Sequence, residues 1–71
     1  MKIKKISKRH FYQKMEALNP SYGLEIENYI KAHEDEIHHF EYGHDKKLHI
    51  RVYRVILDNG YIKAWGASRT L

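Results

Sequence analysis

The chain has 71 residues and a mass of 8.6 kDa, with 42% hydrophobic and 31% charged residues, one proline and four glycines. This describes one small folded domain over residues 1–71 and excludes a two-domain enzyme, a repeat array or an inserted regulatory module. Cysteine is absent, which excludes disulfides, thiolate zinc sites and cysteine nucleophiles, and the net charge of +4 leaves a modest cationic excess.

The sign of the charge changes along the chain. Residues 1–14 hold six cations and no acid, residues 15–45 hold eight acids against Lys31 alone, and from Lys46 onward six cations face Asp58. Either the basic ends neutralise the acidic middle within the fold, or each sign meets a different partner. No apolar run approaches the ~18 residues of a membrane span, and the lysine-rich start lacks the apolar stretch of a secretory signal. The expectation is a cytoplasmic chain with no membrane partner.

The first element after the basic start is a helix over about residues 8–18. Ser7 is placed to accept the orphan amides of its first turn, Ile6 can pack on Phe11 across the helix start, and Phe11, Met15 and Leu18 recur at helical spacing. Asn19-Pro20 ends it. A second, amphipathic helix is predicted from between Ser21 and Leu24 to Gly43, with Ile26, Tyr29, Ile30, His33, Ile37 and Phe40 on one stripe and Gly43 as the C-cap. Glu27–Lys31 and Lys31–Asp35 stand at i,i+4 on its polar side.

Leu48 to Leu57 and Tyr61 to about Ala67 read as a hairpin around Asp58-Asn59-Gly60, with a two-residue type I′ turn at Asn59-Gly60. That turn pairs Leu57 with Ile62, Val55 with Ala64, and Arg54 with Trp65. The core side is then Tyr53, Val55, Leu57, Ile62 and Ala64, and Ile50, Val52, Arg54, Ile56, Lys63 and Trp65 occupy the other. The expected fold is α+β: a short helix and a longer amphipathic helix packed on the C-terminal hairpin, with Lys2–Ile6 available as a third strand.

Three groups of residues bear on function. Lys4, Lys5, Lys8 and Arg9 gather before and within the first helical turn, where acids are normally favoured, and together with Arg54, Lys63 and Trp65 they suit contact with phosphates and bases. The leading expectation is therefore a non-enzymatic module binding a nucleic acid or nucleoprotein. The alternative is a protein-binding inhibitor or adaptor of the kind mobile genetic elements encode, using Glu27, Glu34, Asp35, Glu41 and Tyr42 against a basic groove. Ile50, Val52 and Ile56 offer a homodimer surface.

The six histidines invite a metal reading that helical geometry restrains. His33 lies within the apolar stripe, and His38 and His39 would sit about 100° apart on the helix, so no metal and no cofactor is expected. HExxH is absent because His38 comes one position late. A minor enzymatic reading places His49, Arg51 and Tyr53 on one strand face as a metal-independent ribonuclease, without a diagnostic catalytic motif.

Overall fold

The computed structural model describes residues 1–68. Its elements are β1 (Ile3–Ile6), α1 (Lys8–Met15), α2 (Pro20–Ala32), a single 3₁₀ turn (Glu34–Glu36), β2 (Ile37–Asp45), β3 (Ile50–Leu57) and β4 (Ile62–Ser68). The fold is α+β, with two helices packed on a four-stranded antiparallel sheet in the order β1-β2-β3-β4. β1 is the expected third strand, and it occupies an edge where Lys4 and Lys5 discourage pairing with another chain.

Both helices start at side-chain caps. The Ser7 hydroxyl accepts from the His10 amide at 3.1 Å, and the Asn19 side chain accepts from the Tyr22 amide at 2.9 Å with Pro20 in the first helical position. Asn19-Pro20 thus opens the second helix, and α1 closes earlier than expected, at Met15.

Helix α2 ends at Ala32, not at Gly43. The segment expected to be its second half is β2, a strand hydrogen-bonded on both sides, to β1 and to β3. A bulge between Ile37 and His39 accounts for the misleading pattern. The extra residue puts Ile37 and Phe40 three positions apart on the packed side, which is also helical spacing. Gly43 serves close packing and not a C-cap: a Cβ there would lie 2.8 Å from Ile3 Cγ1 and 3.2 Å from the Lys2 carbonyl oxygen.

The hairpin forms, one residue out of the expected register. Gly60 N–H donates to Leu57 O and Leu57 N–H to Tyr61 O, both at 2.9 Å. Gly60 has φ 89°, and His49 is the one non-glycine with positive φ among the described residues. Positive φ at Gly60 but not at Asn59 marks a three-residue loop with a glycine bulge in place of a type I′ turn. Val55 therefore faces Lys63, Arg54 faces Ala64 and Tyr53 faces Trp65.

That shift redistributes the two sheet faces. The inner face, toward the helices, takes Phe40, Tyr53, Val55 and Trp65, which join Phe11 and Met15 of α1 and Ile26 and Ile30 of α2 in one buried core. Tyr53, Val55 and Leu57 are buried as expected, whereas Ile62 (49% exposed) and Ala64 lie on the outer face with Arg54. The Tyr53 hydroxyl donates to the Lys14 carbonyl at 2.6 Å and ties the end of α1 to the sheet. Its burial pushes its pKa up to about 12.

Candidate nucleic-acid interface

Directly opposed residues of antiparallel strands share a face, so the register locates every inner-face side chain. The pairs Ile6–Phe40 and Phe40–Val55 lie over the core. One step along, Lys4 pairs with Tyr42 and Tyr42 with Tyr53; a further step brings His44 opposite Arg51 and Arg51 opposite Ala67. Helix α1 has ended by this point, at Met15. The inner face there forms a half-exposed platform at the edge of the helical layer, made of Tyr42, His44 and Arg51.

Cations converge on it. Lys14 Nζ stands 5.4 Å from the centre of the Tyr42 ring, and that ring is held edge-on to Tyr53 with centroids 5.2 Å apart. His44 is held below its ordinary pKa of 6.5, first by partial desolvation and then by the charges of Arg51, Lys46 and Lys14, with Asp45 opposing. His44 faces Arg51 directly across the ladder, so a proton taken up by His44 meets a like charge there. A groove of about 530 Å³ continues from Arg51 past Asn19, Tyr22 and Ala67.

Most cations remain available after folding. Among the described residues, Lys8 pairs with Glu34 at 3.3 Å, Lys31 with Glu27 at 3.9 Å and Arg54 with Glu41. Lys4, Lys5, Arg9, Lys14, Lys46, Lys47, Arg51 and Lys63 form no ion pair with another described residue. The acidic middle therefore neutralises only part of the basic ends.

The residues expected to bind nucleic acid are not all brought together. Lys4 is at the platform, Lys5 and Lys8 border a different cavity, and Arg9 is exposed on α1. Trp65 is not opposite Arg54: it is 6% exposed, packed edge-on to Tyr29 at 5.4 Å and below Lys63 Nζ at 5.7 Å. It has no free face on which a base could stack, and its buried Nε1 has no hydrogen-bond partner among the described residues. Arg54 lies on the outer face, where its Nε donates to Glu41 Oε1 at 2.9 Å. Within the platform, the aromatic residue with a lysine over its ring is Tyr42.

The residues of the protein-binding alternative do not share one helix. Glu27 is on α2, Glu34 and Asp35 are in the 3₁₀ turn, and Glu41 and Tyr42 are on opposite faces of β2. The His49, Arg51 and Tyr53 trio is also separated. His49 lies in the loop before β3 with φ 55°, and Tyr53 is fully buried. His38 and His39 are neighbours instead of divergent helix residues, with Nδ1 atoms 2.7 Å apart. Among the described residues no group of three or more histidines and carboxylates is placed to hold a metal ion. None of the described helices is long and apolar enough to cross a membrane.

No protein-family model, curated protein or solved structure matches this chain. The functional reading rests on the geometry of its own residues.

Proposed function

We propose that the chain binds the phosphate backbone of a nucleic-acid strand across the platform formed by Lys4, Lys14, Tyr42, His44, Lys46 and Arg51. The observation behind this reading is the cross-strand pair of Arg51 and His44 with two lysines close enough to depress His44. A folded chain gains nothing from crowding these cations, whereas an anion placed between them relieves the repulsion and restores the proton to His44. Tyr42 gives a backbone strand an aromatic surface beside the charges, a pairing suited to bases and phosphates together.

Fluorescence anisotropy of a labelled twelve-nucleotide RNA, and of its DNA counterpart, tests this directly. Arg51→Ser and Lys14→Ser should each weaken binding severalfold, and Lys31→Ser, on the far side of α2 beside Glu27, should leave it unchanged. Wild-type affinity should rise between pH 8 and pH 6, and His44→Gln should flatten that rise. Arg51→Ser binding as tightly as wild type contradicts the assignment.

A further inference from the structure

A second group of polar side chains has no part in the platform. Lys5, Ser7, Lys8, Glu34, His38 and His39 border a cavity of about 360 Å³ between β1, the start of α1 and the bulged start of β2. Behind it runs a continuous chain of hydrogen bonds. His38 Nδ1 lies 2.7 Å from His39 Nδ1, His39 Nε2 lies 2.9 Å from Glu41 Oε2, and Arg54 donates to the other Glu41 oxygen.

The chemistry gives this chain a direction. An ionised carboxylate only accepts, so the network assigns the His39 proton to Nε2, where it donates to Glu41. His39 Nδ1 is then an acceptor, His38 Nδ1–H donates to it, and the free lone pair lies at His38 Nε2. Glu41 is held below the usual carboxylate range by its hydrogen bonds from His39 and then Arg54, so it is ionised at neutral pH. The bulge between Ile37 and His39 brings both imidazoles together, a use of bulges common beside active sites.

We infer that this cavity cleaves RNA by transesterification, with His38 as the general base. The inference rests on the nucleic-acid reading above and adds the reaction and the substrate. His38 sits about six residues of strand from His44, roughly 20 Å along β2. The imidazole needs a nucleophile, and an RNA strand supplies its own in the 2′-hydroxyl. The 2′-oxygen bonds to the adjacent phosphorus as its proton passes to His38 Nε2. The bond from phosphorus to the 5′-oxygen breaks, the electron pair leaves on that oxygen, and water protonates it. The imidazolium returns its proton to solvent. The products are a 2′,3′-cyclic phosphate and a 5′-hydroxyl, with no change of oxidation state. Lys5 and Lys8 face the phosphate, with Glu34 taking part of the Lys8 charge. His39, Glu41 and Arg54 are positioning residues: they orient the base and stabilise the proton it takes.

The test incubates the whole chain with a twelve-nucleotide RNA, and separately with the all-deoxy oligonucleotide, in excess chelator. Cyclic phosphate ends should form from the RNA alone. His38→Gln, an exposed position, should slow cleavage about 100-fold or more with the fold kept by circular dichroism. Glu41→Gln removes the negative charge hydrogen-bonded to the histidine pair, leaving Glu34 across the cavity as the remaining carboxylate, against Lys5, Lys8 and Arg54. The rising limb of its pH–rate profile should therefore move to lower pH, a shift that a merely structural role would not produce. RNA that stays intact although the wild-type chain binds it overturns the cleavage inference and leaves the platform reading standing. Equal rates for wild type and His38→Gln overturn it too, and failure to bind either oligonucleotide removes both readings.

Discussion

The inner face of the sheet has two halves built from the same strands. Over one half, Phe11 packs on Phe40 at 4.9 Å and edge-on to Tyr53 at 5.7 Å, beneath a lid of two helices. Over the other, Tyr42, His44 and Arg51 continue the same alternation and are only half-buried, bordered by Lys14 at the end of α1 and Tyr22 at the start of α2. What changes is the lid and not the strands. Under the helices the inner face is mostly apolar and aromatic, with Lys63 at its edge beside Tyr29, and past the end of α1 the alternate positions become His44 and Arg51. Alternation alone thus specifies a face, and helix length decides which part of it is core and which part is open to a partner.

That contrast can be broken from either side, and the largest effect should come from the covered half. Phe11→Ala should cost about 3–5 kcal/mol, most of the stability of a small domain, as read by denaturant unfolding followed by circular dichroism. Gly43→Ala acts on the boundary. The added methyl meets Ile3 and the Lys2 backbone, so β1 should be displaced at a cost of about 1–3 kcal/mol. Hydrogen exchange of the β1 amides should rise more than that of β3, and nucleic-acid binding should weaken through displacement of Lys4 although the core residues are untouched.

Tyr53→Phe removes only the hydroxyl that holds the Lys14 carbonyl and should cost about 0.5–1.5 kcal/mol. The same hydroxyl predicts an alkaline transition. Because folding raises its pKa from 10.0 to about 12, its contribution is complete below pH 10 and is lost as the pH rises from there toward 12. In Tyr53→Phe the loss of stability over that interval should be smaller.

The open half should show the smallest stability effect. Arg51→Ser should leave the unfolding free energy unchanged or slightly raised, because a like-charged neighbour of His44 is gone. His44 has a lowered pKa in the fold, so protons favour the unfolded chain and stability declines as the pH falls through 6.5. Arg51→Ser should make that acid-side decline shallower. Reduced stability from the covered half, and reduced binding at full stability from the open half, would be the complete signature of the contrast.

Much of the fold was legible locally because its signals are local. Ser7 as a cap, the strand at Lys2–Ile6, the helix of Ile26 and Ile30, and a turn at Asn59-Gly60 each depend on residues within a few positions of one another. β2 was hidden for two physical reasons. Its hydrogen bonds go to segments distant in sequence, and its bulge turns a period of two into a step of three at Ile37 and Phe40, which imitates a helix. The one-residue error in the hairpin arose because two turn types use the same Asn-Gly pair, and that slip moved Trp65 from the solvent face to the core. The candidate site was legible only as an excess of lysine and arginine. Arg51 and His44 become neighbours only once β2 is recognised as a strand, and their register with Tyr42 then follows from the loop at residues 46–49 between Asp45 and Ile50.

The most direct test of the open platform is the salt dependence of oligonucleotide binding. A plot of log affinity against log salt for wild type and for Lys14→Ser/Lys46→Ser/Arg51→Ser should give a slope smaller by about 2 in the triple variant, near 0.7 for each phosphate of a single strand that the variant no longer neutralises. Equal slopes for the two proteins would mean that these cations do not meet phosphate, and would contradict the account.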